Sequence, residues 1–330
     1  MRQPTHLIDR ARAASEARTG YAPWPQAADS SALTAPAISY ASGHGRQHAE
    51  QARPVECLPA GHSFRLLSFI VVTNTPQHLW AISIVSHGHG RAVLGALQDL
   101  AAQAPAGRTQ YFLTLNTGEA TDFLDELPPK VREALIVIRN ARPLGFGANH
   151  NQALLEADAE FVVMVDPDLR LGTRTLEAVQ SALGDPTNGI VAPLAYTPEG
   201  RMEDNGRPVI TPGSLIRRYS VERWPHRRAP EAPDVDEMPV DWLAGLFMAM
   251  RHGTFVRLGG FDARYRLYCE DTDLCLRART QEGLRVALLP RARITHPARR
   301  QTLKHPHHLL WHVQGLLRLW RSPAYRALKR

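Results

Sequence analysis

Phe161-Val162-Val163-Met164-Val165-Asp166-Pro167-Asp168 is an apolar, β-branched run that ends abruptly in two carboxylates. A short continuous apolar run closed by a turn residue has the pattern of a strand buried on both faces, as in a mainly parallel sheet. In an open α/β sheet ligands bind beyond the carboxyl ends of the strands, which is where these two acids stand. Pro167 stiffens the turn between them. A carboxylate pair at this spacing suits a hard divalent cation, which takes oxygen ligands and shares them with substrate phosphates. The pair alone leaves a second role open: Asp168 precedes a helical run after Thr173 and suits a helix N-cap.

Working outward, residues 81–85, 111–115 and 135–138 read as further strands. Between them Val93, Leu94, Leu97 and Leu100 recur at helical spacing. Strands alternating with helices from about residue 80 onward mark an α/β domain. Asn140-Ala141-Arg142-Pro143-Leu144-Gly145-Phe146-Gly147-Ala148-Asn149-His150-Asn151 is a glycine-containing turn opening a helix over 148–157. Its glycines let backbone approach a ligand, and free N–H groups at a helix start attract an anion. It is not G-x-G-x-x-G and has no P-loop lysine, so a dinucleotide or ATP site fits poorly.

The second half is less regular. The Pro- and charge-rich stretch 222–239 reads as a mobile loop, followed by apolar residues 242–250 and a Gly259-Gly260-Phe261-Asp262 turn. Glu270-Asp271-Thr272-Asp273 opens a helix over 271–279. Acids in a first helical turn are favoured by the helix dipole, and one held there can also serve as a general base; spacing does not choose among the three. His296 closes the short strand-like 292–295.

The 330 residues are 44% hydrophobic and 22% charged, which excludes collagen-like, coiled-coil and wholly disordered classes. Of the 39 Lys and Arg, ten fall in residues 291–330, where there is no Asp or Glu. The net charge of +7 therefore describes the C-terminal end, and an anionic partner is expected there. Residues 1–60 hold six Leu, Ile or Val, no Phe and fourteen Ala, too little bulky apolar matter to offset ordering entropy. That stretch is expected to be disordered; Asp9 and Glu16 argue against a transit peptide. Cys57, Cys269 and Cys275 show no C-x-x-C spacing, which favours a reducing compartment. No apolar stretch approaches the roughly 20 residues of a membrane-spanning helix.

Taken in order, these motifs resemble the family-2 glycosyltransferases, in particular the rhamnosyltransferase-like branch of bacterial surface polysaccharide synthesis. The resemblance runs from about Ile82 to Trp320. It rests on the first strand ending at Ser86-His87, N-x-x-x-x-G-F-G-x-N-x-N, Asp166-Pro167-Asp168, Trp242-Leu243-Ala244-Gly245, the Gly259–Asp262 turn, Glu270-Asp271-x-Asp273 with Arg277, and His296. It implies an α/β fold of GT-A type with a mostly parallel central sheet and a C-terminal helical extension. The expected boundaries are a disordered 1–63, a transferase domain over 64–296 and a basic amphipathic helical segment over 297–330.

The resemblance also implies roles. Ser86, Asn140, Gly145, Gly147, Asn149 and Asn151 border the nucleotide; Asp168, with Asp166 nearby, and His296 hold Mg2+ or Mn2+; Asp271 is the base; Trp242 and Gly245 line the acceptor side. The donor is a nucleoside-diphosphate sugar, dTDP-rhamnose by branch resemblance, and the acceptor a lipid-linked saccharide at the inner face of the cytoplasmic membrane. Leu115-Asn116-Thr117-Gly118-Glu119 replaces the acidic cluster with which many relatives contact the base, so uracil and thymine both stay open. Another sugar carried on UDP, or a catalytically silent binding protein of the same fold, are the rival readings; intact Asp168, Asp271 and His296 count against the latter.

Leu309, Val313, Leu316, Leu317 and Trp320 form an apolar stripe in the basic C-terminal segment. Such a helix lies on an anionic membrane surface, or packs on the domain or pairs in a homodimer. No recognition fold accompanies the basic charge, so nucleic acid is not expected as a partner.

Overall fold

The computed structural model describes residues 75–215, 233–296 and 306–328. The expectations for 1–63, and for most of the 222–239 loop, lie outside these residues. At the described end of that loop, Met238–Pro239 is a short strand rather than loop, paired with the long strand Arg285–Thr295.

The element order is β1 (His78–Ser86), α1 (Ala92–Gln103), β2 (Thr109–Leu115), a 3-10 turn (Asp122–Glu126), α2 (Pro129–Glu133), β3 (Leu135–Arg139), α3 (Phe146–Leu154), β4 (Ala159–Val165), β5 (Arg170–Leu171), α4 (Thr175–Gly184) and β6 (Asn188–Tyr196). It continues with β7 (Gly206–Arg207), β8 (Met238–Pro239), β9 (Trp242–Leu243), β10 (Phe247–Arg251), α5 (His252–Arg257), α6 (Glu270–Gln281), β11 (Arg285–Thr295), α7 (Pro306–Arg321) and α8 (Pro323–Ala327). Among the described residues the main sheet runs β3-β2-β1-β4-β10-β6-β11-β5. Strands β1 to β4 are mutually parallel, and β10 is antiparallel to both β4 and β6.

The apolar run of β4 is continuous because both sheet faces are covered. Val163 and Val165 enter one hydrophobic cluster, with the α1 residues Val93, Leu94, Leu97 and Leu100. Val162 and Met164 enter the other, with Phe255, Phe261 and Leu274. This alternation is the period of a strand, hidden in the sequence because neither set is polar.

The parallel strands bring Ser86, Leu115 and Val165 to one edge: Ser86 pairs with Leu115, and Ile84 with Val165. Strand β11 breaks register with β6 between Leu289 and Arg293, around Pro290, which cannot donate to the ladder. Pairing then resumes and carries His296 to Tyr196, with N to O at 2.9 Å.

In the C-terminal segment the expected apolar stripe divides, and part of it packs on the domain, one of the alternatives left open by the sequence. Leu316 and Leu319 are buried in a cluster with Tyr265, Cys269 and Leu276, whereas Leu309, Val313 and Leu317 are exposed. The helix approaches through Gly315, where an added Cβ would lie 2.7 Å from the Tyr268 carbonyl oxygen. The docked face thus combines this close glycine approach with Leu316 and Trp320 of the stripe and with Leu319, while the rest of the stripe faces outward. Among the described residues no helix is long and apolar enough to cross a membrane.

Candidate functional site

The acids ending β4 meet the histidine ending β11. His296 Nε2 lies 3.7 Å from Asp166 Oδ2 and 3.7 Å from Asp168 Oδ1. One ligand atom from each of the three falls within 4.8 Å of the others, close enough to share a cation. Asp168 is not an N-cap: the helix after it starts at Thr175 and is preceded by Arg174.

The second nitrogen of that imidazole is fixed by a residue the motifs did not point to. His296 Nδ1 lies 3.3 Å from Glu203 Oε2. A carboxylate on the far nitrogen orients a ligating imidazole and presents its other nitrogen to the cation. Burial alone would lower the His296 pKa, but Glu203, Asp166 and Asp168 together raise it above the ordinary value. Glu203 arrives by a hairpin: Gly200 N–H donates to Thr197 carbonyl oxygen and Glu203 N–H to that of Ala195. The signal for it was legible, because Thr197-Pro198-Glu199-Gly200 has turn chemistry and returns the chain beside β6.

Asp166 N–H donates to the Leu246 carbonyl oxygen at 2.8 Å, which sets Gly245 next to the metal-type cluster. Gly245 N–H in turn donates to Asp271 Oδ2 at 3.0 Å. A side chain at Gly245 would press on the Phe146 ring, 3.0 Å from its Cζ. Burial raises the Asp271 pKa, against the lowering effect of the Thr272 and Gly245 N–H groups.

The three acids at the start of α6 have different surroundings. Glu270 is buried, one of its oxygens unpartnered, and its pKa is pushed well up by burial and then by the Asp271 charge. Asp273 is buried against Arg277 at 2.7 Å. Asp271 is half-buried and is the one of the three that reaches the surface. The turn before them holds Tyr268 at φ 76° and Cys269 at φ 71°, left-handed conformations that non-glycine residues rarely adopt.

The asparagines expected at the nucleotide are engaged in bracing the loop. Asn140 Nδ2 donates to Asn116 Oδ1 and Asn149 Oδ1, at 2.9 and 2.6 Å. Asn149 Nδ2 donates to the Gly145 carbonyl oxygen, and Asn116 Oδ1 accepts from Leu144 N–H. Asn151 grips the Gly259–Asp262 turn: Nδ2 donates to Phe261 O at 2.7 Å and Oδ1 accepts from Phe261 N at 2.8 Å. Gly145 and Gly147 are required by contact: a Cβ would sit 2.6 Å from Arg266 O at the first and 2.5 Å from Phe261 Cβ at the second.

Ser86 is buried and donates to Glu119 Oε2 at 2.8 Å. Gly88 and Gly90 N–H groups donate to the same carboxylate, so Glu119 shapes the loop after β1. Trp242, expected on the acceptor side, is buried instead: its indole N–H donates to Pro208 O, and Arg207 stacks on its ring.

Residues 92–252 match the model described as glycosyl transferase family 2. The N-acetylglucosaminyl-diphospho-decaprenol L-rhamnosyltransferase of Mycobacterium tuberculosis is 29% identical over 184 residues, 49% of this chain and 59% of that protein. The chain thus spans less than two thirds of that relative's length. Rhamnosyltransferase WbbL of Escherichia coli K12 is 25% identical over 238 residues, 66% of this chain and 83% of that protein. The solved structure of GalNAc-T7 with UDP, GalNAc and Mn2+ matches with TM-score 0.52 at 14% identity, over 66% of this chain and 43% of its own. That likeness concerns the fold, which is of the GT-A type.

Proposed function

From the match of residues 92–252 to the glycosyl transferase family 2 model, we propose that this chain is an inverting, metal-dependent glycosyltransferase. The donor is a nucleoside-diphosphate sugar, dTDP-rhamnose, and the acceptor is a lipid-linked saccharide met at the inner face of the cytoplasmic membrane. The rhamnosyltransferase names of two relatives support the sugar, and the decaprenol-linked substrate in one name supports the acceptor. The observation that carries the reading is the meeting of Asp166, Asp168 and His296 one short backbone link away from half-buried Asp271.

Two carboxylates and an imidazole backed by Glu203 form a donor set that suits Mg2+ or Mn2+. A divalent cation held by these residues would supply positive charge to a diphosphate leaving group. Asp271 lies outside that donor set and takes the proton from the acceptor hydroxyl. The hydroxyl oxygen forms its bond to the anomeric carbon from the face opposite the diphosphate. The bond from that carbon to the diphosphate oxygen breaks with its electron pair, and the anomeric centre inverts. A carboxylate raised by burial and trimmed by two N–H donors accepts a proton more readily than an exposed one.

Thermal-shift measurements against a panel of dTDP-, UDP- and GDP-sugars with Mn2+ test the reading, since a ligand that binds only the folded chain raises its melting temperature. A Mn2+-dependent rise with dTDP-rhamnose is expected. A larger rise with a UDP-sugar reassigns the donor, and no rise with any of them overturns the proposal.

A further inference from the structure

A cleft of about 990 Å³ opens between residues 258–267, α6 and the helices α7 and α8. Its wall on α6 is made by Asp273, Arg277 and Gln281, at i, i+4 and i+8. Asp271 belongs to another face of that helix and turns to Gly245, so this cleft is separate from the transfer site.

The cleft is cationic. Arg264, Arg266, Arg277, Arg318 and Arg321 line it, against the acids Asp262 and Asp273. Arg264 pairs with Asp262 and Arg277 with Asp273, each at 2.7 Å, so both acids are matched and positive charge remains in excess. Tyr265 lines the same cleft at 2% exposure, and its hydroxyl has no hydrogen-bond partner among the described residues.

An apolar stripe adjoins this cleft. Leu309, Leu310, Val313 and Leu317 are 49%, 54%, 46% and 41% exposed along the outer side of α7. Leu317 belongs to both the stripe and the cleft. A soluble anion needs only the arginines; exposed leucines beside them fit an anion with an apolar tail. Within the described residues 306–328 the charged side chains are Arg318, Arg321 and Arg326, with no Asp or Glu, and this charge complements the same partner.

We propose that this cleft seats the phosphate headgroup of an anionic membrane phospholipid while the leucine stripe of α7 rests in the acyl boundary. The site deepens the membrane-surface part of the function proposed above, and rests on that part alone.

The test is co-sedimentation of the full chain with vesicles of phosphatidylcholine, or of phosphatidylcholine doped with phosphatidylglycerol, at low and high salt. Two double variants change exposed side chains only: Arg318→Glu with Arg321→Glu, and Leu310→Ser with Val313→Ser. The wild type is expected to bind doped vesicles at least about tenfold better than neutral ones, with loss at high salt. Each double variant is expected to lose that binding while keeping the wild-type melting temperature. Soluble glycerol phosphate, added as a headgroup without a tail, is expected to raise the melting temperature of the wild type and of the leucine variant but not of the arginine variant.

If the wild type ignores both vesicles, this proposal and the membrane-surface reading fall together. If it binds doped vesicles and the arginine variant binds equally well, or if headgroup charge makes no difference, the cleft proposal alone is overturned. Transfer to a water-soluble acceptor analogue reports the sugar chemistry separately.

Discussion

Replacing Asn151 by Ala removes both hydrogen bonds that join α3 to Phe261, at 2.7 and 2.8 Å. Each is worth about 0.5–1.5 kcal/mol net, giving about 1–3 kcal/mol for the pair. Phe261 is only 2% exposed, so water replaces the lost partners poorly and the upper half of that range is expected. For a domain of this size each kcal/mol lowers the melting temperature by about 2–4 °C, so a fall of about 4–12 °C is expected. Asn151→Asp keeps the acceptor for Phe261 N–H but turns a carboxylate on the Phe261 carbonyl, and should fall at least as far. Gly260 supplies an internal control: it sits at φ +65° and a Cβ there would lie 2.4 Å from Asn151 Oδ1. Gly260→Ala is therefore costly alone and less so on the Asn151→Ala background, where the steric part is relieved. Calorimetry of the wild type and these four variants, with and without nucleotide sugar, measures all of this. An Asn151→Ala protein with an unchanged melting temperature but no nucleotide-induced shift would refute the clamp and make Asn151 a donor ligand.

Three further outcomes follow from the site and the core. Asp271→Asn is expected to keep the Mn2+-dependent donor shift and to lose at least ~10²-fold in turnover; near-normal turnover moves the base elsewhere. Glu203→Ala is expected to weaken Mn2+ binding about 10–100-fold in calorimetric titration, with partial recovery in Glu203→Gln, because an unheld imidazole is a poorer ligand; unchanged affinity removes Glu203 from the site. His150 is buried, and burial lowers its pKa to about 3, so the folded chain holds it neutral where the unfolded chain takes up a proton. The unfolded state gains protons as pH falls below about 6.5, and this residue then costs about 1.4 kcal/mol of stability per pH unit down to the folded pKa. Urea titrations at stepped pH should show that slope between pH 6 and pH 4, and its persistence in a His150→Gln variant would assign it to other groups.

What the amino-acid sequence determined alone is what neighbouring residues enforce on each other. The apolar run into Asp166-Pro167-Asp168, the α1 stripe and the glycine turn before α3 are set by spacings of a few residues, and the elements form within two or three residues of where those spacings place them: α3 is Phe146–Leu154 where 148–157 was expected. Strand ends were less legible. β1 starts at His78 and β4 at Ala159, ahead of the expected positions, because pairing along the ladder from His78 to Ala159 extends both.

Tertiary structure decided which polar groups are free and which are spent. Composition does not distinguish Glu270, Asp271 and Asp273; burial of Glu270 and the Arg277 pairing of Asp273 do. Asn140, Asn149 and Asn151 read as ligand-type amides, yet their partners come from Asn116 just after β2, the Gly145 loop and the Gly259–Asp262 turn. Glu203 becomes the support of His296 only because β6 and β11 lie side by side in the sheet order. Helix α7 carries apolar residues on more than one side, and the side with Gly315, Leu316 and Leu319 is the one that docks. The physical reason is common to all four. A side chain's chemistry depends on the atoms that replace its water, and those atoms come from distant segments brought together by a core that local spacing does not encode.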